Sequence, residues 1–175
     1  MGRGPLAGPV VCAAVIMPLD DIIEGIDDSK KLSAKKRETL YGLIINKAVA
    51  RNICRVEPET IDEINILEAT KLCMKNAVEG LAVKPDFVIT DGNMTLDISI
   101  PQASIVKGDA LSYSIGAASI AAKVFRDKLM DEYAKIYPAY GYEKHKGYGT
   151  ADHIKAIKER GLCPVHRRSF TKKWQ

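Results

Sequence analysis

The hydrophobic positions fall into two patterns. Residues 10–17, Val-Val-Cys-Ala-Ala-Val-Ile-Met, and residues 103–106 are unbroken apolar or small stretches, which predict buried strands. Residues 53–56 and 86–90 read as two further strands. Between them the apolar residues recur at helical spacing. Leu40, Leu43, Ile44 and Ala48 predict a helix from about 34 to 49 with Ser33 as its N-cap. Leu67, Thr70, Met74, Ala77 and Leu81 predict a second over 66–81, after a turn and short helix at 58–65. A hairpin-like connection is expected after residue 90, and then one long helix from near Asp109 to about Ile136. Its flank of Gly116, Ala117, Ala118, Ser119, Ala121 and Ala122 has almost no bulk, which lets a helix lie close against a sheet. Thr150 is expected to cap a helix over 151–160 that Gly161 stops. Strands alternating with helices predict an α/β fold.

Length and composition narrow this picture. With 175 residues the chain is expected to form a single domain, residues 1–175, with an α/β core over 1–137 and a basic helical segment over 138–175. No apolar run approaches the ~20 residues needed to cross a bilayer, so no membrane partner is expected. No signal-peptide pattern opens the sequence, and Cys12, Cys54, Cys73 and Cys163 have no metal-ligand spacing. They are expected to be reduced thiols of a cytoplasmic protein. The net charge of +4 is uneven: residues 144–175 hold nine Lys and Arg against Asp152 and Glu159. A basic end on a slightly acidic body suits a phosphate-backbone binder, or else is a solvated tail.

Candidate chemistry gathers at strand ends. Asp91 and Asp109 each close a strand, and if those strands are neighbours the two carboxylates converge. Carboxylates so paired are hard ligands for Mg2+ or Mn2+, and two such ions can clamp a phosphodiester during hydrolysis. Alternatively Asp109 is a helix N-cap. The glycine-rich start, residues 2–8, leads into a strand rather than a helix, which excludes a dinucleotide fingerprint but suits bare backbone amides beside a ligand. Tyr148, between Gly147 and Gly149 and after Lys144, His145 and Lys146, could stack on a sugar or base, or rest on the surface. Lys30 and Lys31 could hold phosphates, or be solvated.

Taken in order, these stretches resemble the bacterial ribonuclease HII family, the type 2 ribonucleases H. The carriers are Gly2-Arg3-Gly4-Pro5-Leu6-Ala7-Gly8-Pro9, Asp28-Ser29-Lys30-Lys31-Leu32-Ser33, Asp91-Gly92-Asn93 and Lys107-Gly108-Asp109. They continue through Ala117-Ala118-Ser119-Ile120-Ala121-Ala122-Lys123, Arg126-Asp127, His145-Lys146-Gly147-Tyr148-Gly149-Thr150 and His166-Arg167-Arg168-Ser169-Phe170. The resemblance implies a ribonuclease H-like mixed sheet flanked by helices, with a basic helical C-terminal segment. It implies an endonuclease that cuts RNA in RNA–DNA hybrids, and on the 5′ side of ribonucleotides embedded in DNA, leaving a 3′-hydroxyl and a 5′-phosphate. Asp91 and Asp109 would be two of four metal-binding carboxylates around two Mn2+ or Mg2+ ions. The Gly2-Arg3-Gly4 backbone would read the 2′-hydroxyl and Tyr148 would stack on the neighbouring sugar. Lys30, Lys31, Lys146 and Arg167 would hold phosphates.

In one respect the chain departs from the family, where an Asp-Glu pair at the end of a first strand precedes Gly-Arg-Gly. Here Met1 stands directly before Gly2. The expectation is a chain without that strand and pair, binding metal weakly and cleaving little, as a monomer or with a strand exchanged between protomers. The alternative function is a non-catalytic nucleic-acid-binding module on the same fold.

Overall fold

In a computed structural model, which describes residues 1–174, the chain forms four strands and seven α-helices among the described residues. The order is β1 (Val10–Ile16), α1 (Ala34–Lys47), β2 (Ala50–Val56), α2 (Pro58–Glu79), β3 (Val88–Asp91), β4 (Gln102–Ile105), α3 (Gly108–Leu111), α4 (Tyr113–Ile136), α5 (Tyr142–His145), α6 (Ala151–Arg160) and α7 (Arg168–Thr171). β1 pairs with β2, and β3 with β4. Two compact units result, and each draws on distant parts of the chain: Met1–Val11, Arg55–Thr70 and Phe125–Gln175 in the first, Cys12–Cys54 and Lys71–Val124 in the second.

The second unit is built on a small-residue helix face. Ala117 and Ile120 of α4 are fully buried with Ile44 of α1, and Met17, Ile23, Leu40 and Val124 complete the cluster. Gly116 is required there, since a Cβ would stand 2.8 Å from Ile26. Ser33 caps α1 by accepting from the Lys36 N–H at 3.2 Å. In the first unit Ala7, Met130 and Tyr142 form a buried cluster flanked by Tyr133, Tyr137 and Val165. Thr150 caps α6 by accepting from the His153 N–H, as its sequence position predicts.

Three details correct the sequence reading. The connection between β3 and β4 is not hairpin-like: the strands are parallel, with Asp91 opposite Ile105. The loop between them is strapped back by Gln102, whose side-chain amide both donates to the Leu96 carbonyl and accepts from its N–H, each at 2.8 Å. β4 is not a buried strand, since Ala103 and Ser104 are exposed and Val106 beyond it is 64% exposed. The long helix is broken at Ser112, whose extended backbone (φ −124°, ψ 125°) separates a single turn, α3, from α4. α2, by contrast, keeps the two parts that the sequence predicts, with Asn65 in a non-helical conformation (φ 66°, ψ 165°) between them.

Candidate active site

The β3–β4 pairing brings the ends of both strands together, and with them the two aspartates. Asp91 is the last residue of β3, opposite Ile105, and Asp109 lies in the first turn of α3 just beyond β4. The bond between these segments comes from Asp91, whose carboxylate accepts from the Gly108 N–H at 2.9 Å. Asp109 is therefore not the N-cap; the cap position is Lys107, in a left-handed conformation (φ 59°), and Asp91 supplies the oxygen that its side chain does not. Glycine at 108 leaves room for Ile115, whose Cδ1 would lie 2.6 Å from a Cβ there and would have to shift.

Electrostatics single out Asp109. Burial, then the neighbouring Asp91 and Asp28 carboxylates, push its carboxyl above the usual range, while Lys30 and its own backbone hydrogen bond pull the other way. Like charges held together in this way are what a cation would relieve. Hard oxygen donors suit a divalent ion that keeps water or phosphate in its remaining positions. Asp91 and Asp109 fit that role as two ligands. Among the described residues no three His, Cys, Asp or Glu side chains gather closely enough to cage an ion alone. Asp28 was missed by sequence reasoning, which placed no chemistry on it; its only signal was proximity to Lys30. Lys30 and Lys31 are exposed, and Lys31 lies 3.9 Å from Asp27.

The first unit carries the glycine-rich loop, gripped from inside by two arginines. Arg167 is fully buried and donates to the Gly2 carbonyl (2.6 Å), the Arg3 carbonyl (3.0 Å) and the Gly8 carbonyl (2.9 Å). Arg126 is 2% exposed and donates to the carbonyls of Ala7, Pro9 and Lys146. Burial lowers both guanidinium pKa values, that of Arg167 to about 9. The loop carbonyls are thus turned inward, while the N–H groups of Gly2, Arg3 and Gly4 make no hydrogen bond among the described residues. Gly2 has φ +82°, and a Cβ there would collide with Arg126 Nε. The result is three neighbouring backbone donors without an acceptor, on buried Gly2 and exposed Arg3 and Gly4, a setting for an anionic or hydroxyl oxygen.

Tyr148 stands beside this row. The residue is 44% exposed, and a Cβ on Gly4 would come within 3.9 Å of its ring. The Gly147 carbonyl accepts from the Leu6 and Ala7 N–H groups, tying the tyrosine loop to the glycine loop. Two of the expected phosphate binders are placed differently. Arg167 faces inward, for the reason given above. Lys146 is half-buried and paired with Asp131. The buried role of Arg126 was also missed by sequence reasoning.

The family model for ribonuclease HII matches residues 1–173. The chain belongs to the ribonuclease HII family. Ribonuclease HII of Acetivibrio thermocellus is 58% identical over 171 residues, covering 98% of this chain and 67% of that one. The ribonuclease H2 structure from Pyrococcus horikoshii OT3 superposes with a TM-score of 0.82 at 26% identity, over 99% of this chain and 93% of that one. The structure of Bst-RNase HIII in complex with Mn2+ shares the fold, with a TM-score of 0.73 at 19% identity over 99% of this chain and 66% of that one. The mixed α/β fold is thus that of ribonucleases H2 and H3, and family membership makes this chain a ribonuclease H-type endonuclease. Among the described residues no helix is long and apolar enough to cross a membrane.

Proposed function

We propose that the chain hydrolyses the RNA strand of RNA–DNA hybrids and cuts 5′ of single ribonucleotides embedded in duplex DNA, using Mg2+ or Mn2+ held in part by Asp91 and Asp109. The observation that carries this reading is the approach of the two carboxylates at the ends of β3 and β4, with the Asp109 carboxyl raised by burial and then by its acidic neighbours. The Mn2+ in the Bst-RNase HIII structure supports the choice of ion. When bound, such ions polarise the scissile phosphate and lower the pKa of an attacking water. The protein's own task is to hold and orient. Asp91 keeps the α3 turn in place through Gly108, and Asp109 presents its carboxylate from that turn. The Gly2-Arg3-Gly4 amides donate to a ribose 2′-hydroxyl, the group that distinguishes RNA from DNA. Tyr148 stacks on the adjacent sugar, and Lys30 and Lys31 meet backbone phosphates. Lys146 adds to them when it leaves Asp131. Arg167 shapes the amide row instead of touching phosphate. The setting is cytoplasmic and the chain a monomer.

Turnover by residues 1–175 alone is expected to be slow, because two carboxylates offset little of the charge of two ions. The absence of a third clustered ligand among the described residues favours, as a second reading, a hybrid-binding module without turnover. A DNA duplex with one ribonucleotide, 5′-labelled and incubated with Mn2+ or Mg2+, separates them. Cleavage on the 5′ side of the ribonucleotide that Asp109→Asn reduces ~100-fold or more supports catalysis. Binding with no metal-dependent product supports the module.

A further inference from the structure

All three histidines of the chain, His145, His153 and His166, lie together behind the Tyr148 loop, with Tyr142 and Cys163. None has a task in the reading above. They do not form a metal centre: no three ligands cluster among the described residues, and their contacts have hydrogen-bond lengths. Backbone groups of known polarity fix where the protons sit. The Cys163 N–H donates to His166 Nδ1 at 2.9 Å, a closer approach than the 3.3 Å between that nitrogen and the Cys163 carbonyl, which assigns Nδ1 as the acceptor and the hydrogen to Nε2. His166 Nε2 lies 3.1 Å from His153 Nε2, which must therefore accept. His153 Nδ1 is then the protonated nitrogen, and it lies 2.8 Å from the Tyr148 carbonyl. His145 supports the same loop from its other side. It accepts from the Gly147 N–H at Nδ1 and donates from Nε2 to the Tyr140 carbonyl, with its ring stacked on His153 at 4.5 Å.

We infer that His166 and His153 are positioning residues: a one-way hydrogen-bond relay from the Cys163 amide to the Tyr148 carbonyl that fixes the tyrosine peptide, and so aims its ring at the sugar beside a ribonucleotide. The inference rests on the proposed stacking role of Tyr148. The relay works only with neutral rings, since a second proton on either would set two N–H groups face to face. Burial provides that condition, lowering the pKa of both histidines to about 4. Tyr142 closes the cluster with its hydroxyl 3.2 Å from both Cys163 Sγ and His166 Nε2.

Two measurements test this on the intact chain at neutral pH. In the wild-type protein, 15N imidazole spectra are expected to show His153 protonated at Nδ1 and His166 at Nε2; the opposite tautomer of His153 overturns the relay. The second measurement is binding in EDTA to a DNA duplex with one ribonucleotide, relative to the all-DNA duplex. Loss of a stacking contact is expected to reduce this preference about tenfold in Tyr148→Ala. His153→Ala should match it, and the double variant should lose no more. His153→Asn, whose amide N–H replaces Nδ1–H, should restore the preference, whereas His153→Gln should not. If Tyr148→Ala abolishes the preference and His153→Ala retains it, the relay is refuted and the stacking role stands. If Tyr148→Ala changes nothing, the stacking role fails and the inference with it.

Discussion

At the scale of single residues, the chain uses charge inside the protein to shape backbone on its surface. Arg167 is the clearest instance, spending all three of its bonded nitrogens on loop carbonyls. A planar guanidinium can reach three acceptors in fixed directions; an ammonium on a flexible stem cannot. Arg167→Lys would leave at least one buried carbonyl unpaired, and each such loss costs roughly 1–3 kcal/mol. For a chain of this length that corresponds to a drop in thermal midpoint of about 2–12 °C. Binding to a ribonucleotide-containing duplex should weaken at the same time, because the Gly2-Arg3-Gly4 amides lose their backing. Calorimetry and equilibrium binding check the two effects. A midpoint unchanged by Arg167→Lys would mean that the guanidinium is not what holds the loop.

At the scale of elements, Asn65 shows one helix assembled from two. Its side-chain oxygen accepts from the Leu67 N–H (2.9 Å) and the Glu68 N–H (3.2 Å), starting the second part of α2. Its backbone, at φ 66° and ψ 165°, lies in a region that glycine enters readily and other residues enter only under strain. Asn65→Ala keeps the strain and loses the cap, so it should cost about 1 kcal/mol. Asn65→Gly loses the cap but relieves the strain, so it should lie within about 1 kcal/mol of wild type or above it. Urea unfolding of both variants decides whether the kink is strained as described. The existence of this join was legible in the sequence, because Pro58 and the helical spacing after residue 66 marked two segments. So were both Ser33 and Thr150 caps, which depend only on local chemistry. The parallel course of β3 and β4 was not legible, since it depends on Gln102 bracketing Leu96 through tertiary folding. Nor was the break at Ser112, which no glycine or proline marks. The carboxylate pair could be read from two strand-end aspartates, whereas Asp28 joins Asp109 from 81 residues away and has no local signature.

At the scale of the whole molecule, the balance of buried titratable groups fixes how stability responds to acid. His153 and His166 have pKa values near 4 in the folded protein against 6.5 as unperturbed groups, because burial disfavours their charged forms. Between those values the unfolded chain binds protons that the folded chain refuses. Stability is therefore highest above about pH 6.5 and falls as the pH drops towards 4, at up to about 1.4 kcal/mol per pH unit for each histidine. Asp109 acts in the opposite sense: its raised carboxyl pKa means that the folded state gains a proton earlier than the unfolded one, which offsets part of the loss. Urea midpoints measured from pH 7.5 to 4.5 should thus decline with a slope set mainly by the two histidines. His153→Asn with His166→Gln keeps polar groups in place but removes both titrations, and should flatten that slope even if it lowers stability at pH 7.5. A slope that survives the double substitution would assign the acid sensitivity to the carboxylates instead, and would mean that the histidines are not held neutral by burial.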